Sequence, residues 1–175
     1  MPVDRGGITL MRPEMPAGPN TGGEQQMTEP LHRQRVLSLL DDLAAGDIEA
    51  ALERCTDDVD FLTHAPIDIL PHMGPRRGKA ELREMWKTVH VRYSHIRYDA
   101  PIVIAEGDKV AAYLRAFFTK RSNARVVQFD MAAFYTLREG RVAQIREIID
   151  SFDLVQQVLE TDIATILAKS RPHEV

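Results

Sequence analysis

Three consecutive segments decide the fold of this chain: YLRAFF (113–118), VVQFDMAAFYTL (126–137) and GRVAQIREIID (140–150). All three are rich in Val, Ile, Phe and Tyr and are joined by short turns, which is typical of adjacent β-strands. They also contain charged residues, among them Arg115, Asp130 and Glu147. A charged residue on the packed face of a strand must be solvated, form an ion pair or take part in function. We therefore expect an interior polar pocket.

The segments before and after these strands are mostly helical in pattern. Spacing of apolar residues and turn signals predicts helices over 31–45, 48–55, 81–89 and 154–168. Two more strands are predicted over 59–62 and 94–105. Helices followed by strands and a final helix favour an α+β fold, with an antiparallel sheet and helices packed on one face, over a parallel βαβ repeat.

The composition indicates one globular domain. The chain has 175 residues, of which 44% are hydrophobic and 27% charged, enough apolar mass for a single core. Residues 1–27 hold several Pro and Gly without apolar periodicity, which predicts a disordered leader. The predicted domain spans residues 28–170.

Charge and cysteine content exclude several classes of partner. A formal net charge of −4 gives no basic footprint for nucleic acid or an anionic membrane. No apolar run approaches the roughly 20 residues that a membrane span needs. The lone Cys55 cannot form an internal disulfide. These features favour a cytoplasmic protein with small-molecule or protein partners.

Glu147 is the strongest candidate for chemistry. In the last strand it alternates with Ala143, Ile145 and Ile149 and is the only charge on that face. An apolar setting destabilises the charged form of a carboxyl group and raises its pKa toward the range of a general acid or base. The alternative is a structural ion pair with a neighbouring Arg.

Arg115 is the second candidate. It lies between Tyr113 and Phe117 on one face of its strand, while the opposite face is wholly apolar. A guanidinium group keeps its charge and binds oxygen atoms bidentately, so Arg115 could hold a substrate oxygen or orient Glu147. The alternative is an Arg in solvent or in an interface.

Two further residues complete the set of titratable candidates. Asp130 is a second carboxylate that a proton-transfer site could recruit. His64 follows the first predicted strand, at the rim of a pocket, and suits proton shuttling near neutral pH; the alternative is a solvated loop His. The sequence has no pattern of metal ligands and no nucleotide-binding or nucleophile-elbow motif, so we expect neither a metal site nor a cofactor.

The order of these elements resembles a known superfamily. The segment VLSLLDDLAAGDIEAALERCTDDVDFLTHAP (36–66), a Gly-Lys helix start at 78–79 and the closing EGRVAQIREIID (139–150) are similar to nuclear-transport-factor-2-like proteins. These include ketosteroid isomerases, SnoaL-like polyketide cyclases and limonene-1,2-epoxide hydrolase. The resemblance covers about residues 35–159. It implies a cone-shaped, curved antiparallel sheet wrapped around N-terminal helices, a deep apolar pocket and a homodimer through the sheet.

The resemblance to limonene-1,2-epoxide hydrolase suggests roles for individual residues. Arg115 matches an Arg of that enzyme's site, and Glu147 takes the place of its water-activating Asp. Phe117 replaces a second Asp, and Phe61 and Thr63 replace the Tyr and Asn that help to hold the water, which makes epoxide hydrolysis less expected. The alignment with this enzyme places Phe129 and Met131 on the inward face of their strand.

The resemblance to ketosteroid isomerase fits less well. The catalytic-base Asp of that enzyme falls at Thr63 and its oxyanion-hole Tyr at Leu39. Asp130 lies near its protonated Asp only after a shift. Because one residue of slip exchanges the two faces of a strand, the facing of Asp130 stays open.

These observations lead to two hypotheses. The first is an enzyme without cofactor, an isomerase, cyclase or dehydratase that moves protons on a hydrophobic small molecule. Its catalytic residues would be Glu147 as base, Arg115 and His64. The second is a module that binds a small ligand or dimerises without catalysis. The predicted pocket residues are Phe61, Thr63, Trp86, Tyr113, Phe117, Asp130, Met131 and Ile145.

Overall fold

The computed structural model describes residues 22–170. Its helices are α1 (Gly22–Ala45), α2 (Ile48–Glu53), α3 (Gly78–Arg92), α4 (Ser151–Leu159) and α5 (Ile163–Ser170). Its strands are β1 (Cys55–His64), β2 (Arg76–Arg77), β3 (Tyr93–Glu106), β4 (Lys109–Lys120), β5 (Val126–Arg138) and β6 (Arg141–Ile149). Most of the predicted leader lies outside the described residues. The first helix begins at Gly22, before the predicted domain start.

The six strands form one open, mixed sheet in the order β2-β1-β6-β5-β4-β3. The predicted α+β class is confirmed, with the helices of the N-terminal half packed on one face of the sheet. Strands β3 to β6 are antiparallel neighbours, as predicted. Strand β1 pairs with β2 in antiparallel fashion on one side and with β6, the last strand of the chain, in parallel on the other.

Apolar and polar residues alternate along the strands, which gives the sheet an apolar inner face. On β4 the buried set is Val110, Ala112, Leu114 and Ala116, each at most 4% exposed. Helices α1 and α3 cover this face with apolar stripes at helical spacing; the buried stripe residues are Val36, Leu39, Leu40, Leu43, Leu82, Met85 and Trp86. Burial of each large apolar side chain contributes about 1.5–3 kcal/mol, so this layer accounts for much of the stability. None of the helices within residues 22–170 has the length and apolar character required to cross a membrane.

Strand β3 changes its facing along its length. Its register with β4 shifts twice, between Ser94 and Arg97 and between Asp99 and Ile102. Such bulges bend a strand and re-aim its side chains. As a result Tyr98 packs on the core, whereas Ile102, also an even-numbered residue, is 53% exposed on the outer face.

The predicted C-terminal helix is divided into α4 and α5. The division lies at Glu160, which adopts a left-handed conformation with φ of 55°. Lys120, which is buried, donates from Nζ to the carbonyls of Gln157 and Val158, both at 2.9 Å. The carbonyls at the end of α4 are therefore satisfied by a side chain of the sheet and not by a continuing helix.

The carboxylate of Glu160 completes this contact. It accepts hydrogen bonds from Lys120 at 2.8 Å and from Arg125 at 2.7 Å. These bonds, together with one from Asn123, hold the pKa of Glu160 at about 2. Helix α4 is thereby tied to the turn between β4 and β5.

We expect Lys120→Met to destabilise the protein by about 1–3 kcal/mol, because the two carbonyls and the carboxylate lose their common donor while the apolar stem is kept. Urea unfolding measures the change. Lys109→Met is the matched control, since Lys109 contacts Asp108 at an exposed position and should change the free energy of unfolding by less than about 0.5 kcal/mol. Equal effects of the two substitutions would contradict this account of α4.

Candidate functional site

A cavity of about 70 Å³ lies between helices α1 and α3 and the inner face of the sheet. Its walls are mainly Leu, Ile, Val, Phe and Met side chains. The residues with polar groups in these walls are Trp86, His90, Tyr98, Tyr135 and Glu147. A small number of polar groups in an apolar concavity is the usual form of a small-molecule site.

Among the residues that the structure describes, Glu147 is the only carboxylate that lines the cavity. On β6 it lies on the same face as Ile145 and Ile149, both buried. Thr63 lies opposite Glu147 in the parallel pair of β1 and β6, and its hydroxyl donates a hydrogen bond to Oε2 of Glu147. The parallel pairing of the two strands therefore places the one donor that holds this carboxyl group.

The environment of Glu147 makes its charge costly. Burial raises the pKa of the carboxyl group from 4.5 to about 7, and the hydrogen bond from Thr63 opposes this rise without cancelling it. A carboxyl group with such a pKa exists in both protonation states near neutral pH. It can therefore both accept and return a proton.

Two tyrosines share the cavity with Glu147. Burial raises the pKa of Tyr98 and of Tyr135, and the charge of Glu147 raises both further, which reflects how near the three groups lie to one another. Between residues 29 and 169 no hydrogen-bond acceptor is found for either hydroxyl. Both phenols thus stay protonated and have a free donor.

Helix α3 forms the wall that faces the sheet. Trp86 and His90 lie one turn apart on this helix, and both line the cavity. The imidazole of His90 also packs against the end of α1, where a Cβ on Gly46 would lie 3.6 Å from its Nδ1. Burial lowers the pKa of His90, so the ring is neutral at pH 7.

The structure places Arg115, Tyr113 and Asp130 on the outer face of the sheet, which corrects the expectation that they line the pocket. Arg115 donates from Nε to Oδ1 of Asp130 at 2.9 Å, and the hydroxyl of Tyr113 donates to the other carboxylate oxygen. Arg115 is thus paired with Asp130 on the face opposite the cavity, and it does not orient Glu147. The guanidinium lowers the pKa of Asp130.

Phe117 and His64 also lie away from the cavity, contrary to expectation. Phe117 is on the outer face, where the guanidinium carbon of Arg97 stands 3.8 Å from the centre of its ring. His64 is exposed at the end of β1. Of the predicted pocket residues, the structure brings Phe61, Trp86, Met131 and Ile145 into the cavity wall. Thr63 is not part of the wall but lies next to Glu147 on the neighbouring strand β1.

Sequence reasoning missed His90, Tyr98 and Tyr135. His90 continues the stripe of α3, four residues after Trp86, and Tyr135 has the same parity on β5 as Met131. Both signals were present in the sequence. Tyr98 had no such signal, because the two bulges of β3 interrupt the alternation on either side of it.

The described part of the chain contains no group of three or more His, Cys, Asp or Glu side chains placed to hold a metal ion.

Comparison with solved structures shows close likeness of fold. A proposed isomerase from Rhodopseudomonas palustris is 27% identical, with a TM-score of 0.63 over 82% of this chain and 99% of that chain. An epoxide hydrolase of M. tuberculosis, similar to limonene-1,2-epoxide hydrolase, is 16% identical, with a TM-score of 0.64 over 81% and 98%. A proposed SnoaL-like polyketide cyclase from Jannaschia sp. CCS1 is 17% identical, with a TM-score of 0.64 over 74% and 92%.

Comparison of sequences identifies a family but no relative of curated function. A search among proteins of curated function finds no match. The SnoaL-like domain family matches residues 36–145, which is more than half of the chain and includes α3 and most of the sheet. Together with the fold and the cavity, this match shows that the chain belongs to the SnoaL-like domain family.

Proposed function

We propose that the protein is an enzyme without cofactor that transfers a proton on a small hydrophobic molecule, as an isomerase, cyclase or dehydratase does. The observation that carries this proposal is the single carboxyl group of Glu147 in an apolar cavity, with a pKa of about 7. Perturbed carboxyl groups in clefts are typical of general acids and bases. The solved relatives, which include proposed isomerases and a proposed polyketide cyclase, support the same class.

The cavity suggests how the proton would move. The carboxylate of Glu147 removes a proton from a carbon next to a carbonyl group. The electron pair of the C–H bond forms a carbon–carbon double bond, and the π pair of the carbonyl group moves to its oxygen. The hydroxyls of Tyr98 and Tyr135 donate hydrogen bonds to the resulting oxyanion. Glu147, now a carboxylic acid, returns the proton to another carbon in an isomerisation or to a departing hydroxyl in a dehydration.

The size of the cavity limits the substrate. At about 70 Å³ it is smaller than the roughly 150 Å³ that holds benzene in a dry protein cavity. Three methionines, Met73, Met85 and Met131, lie in its walls. Their unbranched side chains adapt more readily than branched ones, so we propose that a single-ring substrate enters by displacing them.

A module that binds a small ligand without catalysis is the second candidate. It is favoured by the position of Arg115, which pairs with Asp130 on the outer face and leaves the cavity without a guanidinium group. In this case Glu147 and the two tyrosines would bind a polar group of the ligand without exchanging protons with it.

We also propose that the outer face of the sheet pairs with a second copy of the chain. Exposed apolar residues stand in two neighbouring rows across the strands. Ile104 and Phe134 lie in one row, and Ile102 and Ile148 in the next, each between 47% and 62% exposed. A contiguous apolar patch of this kind usually marks an interface.

Deuterium exchange tests the proposed chemistry without knowledge of the natural substrate. In D₂O we expect the protein to speed the loss of the α-proton signals of cyclohexanone or acetophenone, followed by proton NMR. Glu147→Gln should lower this rate at least about 100-fold, since the base is lost. Asp130→Asn, which removes a carboxylate from the outer face, should leave it unchanged. Equal rates for the protein and Glu147→Gln would remove Glu147 from this role, and no exchange by the protein itself would favour the binding module.

The pH dependence of stability tests the environment of Glu147. Its pKa is 4.5 when unfolded and about 7 when folded, so between these values the folded state binds more protons and stability falls as pH rises. Glu147→Gln has no such loss. Its free energy of unfolding in urea should exceed that of the original protein by about 3 kcal/mol more at pH 8 than at pH 4. A difference that does not change with pH would contradict the raised pKa.

Sedimentation tests the outer face. We expect the protein to sediment as a dimer at micromolar concentration and Ile148→Lys to sediment as a monomer, because the charge would be desolvated in the interface. Ile67→Lys is the control, since Ile67 is also exposed but lies in the loop before β2. A monomeric original protein, or a dimer unaffected by Ile148→Lys, would contradict this proposal.

A further inference from the structure

The mechanism proposed above leaves two polar side chains of the cavity unused. Glu147, Tyr98 and Tyr135 lie on the sheet, whereas Trp86 and His90 lie on α3, the opposite wall. The rest of the lining is apolar. A polar group in such a wall is favourable only if it finds a hydrogen-bond partner.

The hydrogen-bond capacity of these two side chains is specific. Burial lowers the pKa of His90, and the backbone carbonyl of Leu43 beside the ring opposes this change. Nδ1 of the ring faces the end of α1 near Gly46, so we take the N–H to be directed at this carbonyl. A neutral imidazole has only one N–H, so its other nitrogen is an acceptor. The indole of Trp86, one turn earlier, is a donor only, and no acceptor for it is found among residues 29 to 169. The wall therefore presents one acceptor and one donor close together.

A hydroxyl group of a ligand can bond to the acceptor of His90 and the donor of Trp86 at once, because it donates one hydrogen bond and accepts others. A carbonyl or an ether oxygen would serve Trp86 alone, and an ammonium group would serve His90 alone.

We infer that His90 and Trp86 form a second polar subsite that binds a hydroxyl group of the ligand. The cavity then selects a small hydrophobic molecule with an oxygen function at each end: a carbonyl toward Tyr98, Tyr135 and Glu147, and a hydroxyl toward α3. The inference depends on the proposed function only in taking this cavity as the ligand site, and it requires no turnover.

Binding of two matched probes tests this subsite. Isothermal titration calorimetry with 4-hydroxyacetophenone and acetophenone compares molecules that differ only in the hydroxyl. We expect the hydroxylated probe to bind about five- to tenfold more tightly, as one or two hydrogen bonds provide. His90→Phe, which keeps a planar ring but no acceptor, should remove this preference and change the affinity for acetophenone less than about twofold.

Two further variants make the result decisive. His90→Gln keeps an acceptor oxygen and should retain part of the preference, which a purely structural role of His90 would not produce. Glu147→Gln should keep the full preference, so that loss of proton transfer and loss of the subsite are observed separately.

Three results would overturn the inference. The first is a preference that survives His90→Phe. The second is a preference lost in Glu147→Gln, which would place the hydroxyl at the sheet. The third is no binding of either probe to the folded protein, as judged by circular dichroism.

Discussion

Within the described part of the chain, the carboxyl group of Glu147 accepts one hydrogen bond, from Thr63, where a carboxylate in water would accept several. This deficit is what makes the charged form costly and brings the pKa to about 7. The single donor is available only because β1 runs parallel to β6, with Thr63 opposite Glu147. The hydrogen bonding of the one carboxyl group in the cavity wall therefore depends on one strand pairing.

The two faces of the sheet carry different kinds of charge. On the inner face, the described residues that line the cavity with Glu147 include no lysine or arginine. On the outer face Arg115, Asp130 and Tyr113 satisfy one another, and Arg97 pairs with Asp99 beside Phe117. Ionic groups in solvent add little to stability, so the outer network holds its side chains in place without stabilising the fold much. The buried inner carboxyl group lowers the stability of the fold. Such a loss of stability is common at functional sites.

The strand pattern of the sequence predicted the site only in part. Alternation on β6 placed Glu147 between Ile145 and Ile149 correctly, and alternation on β4 had already assigned Arg115 to the face opposite the apolar set. The likeness to limonene-1,2-epoxide hydrolase overrode that second signal and assigned Arg115 to the site. The facing of Tyr98 was beyond sequence reasoning because it depends on two bulges in β3. The division between α4 and α5 depends on Lys120, a residue 40 positions away from Glu160.

The place of β6 in the middle of the sheet has a consequence for how the protein is made. Strand β1 pairs only with β6 and the two-residue β2, and 84 positions separate Thr63 from Glu147. During synthesis β1 must wait, without its main partner, until nearly the whole domain has left the ribosome. A nascent chain that ends before Arg141 exposes the unpaired edges of both β1 and β5, which invites aggregation. The strand that carries Glu147 also joins β1 to β5, so the sheet and the cavity wall are completed by the same pairing.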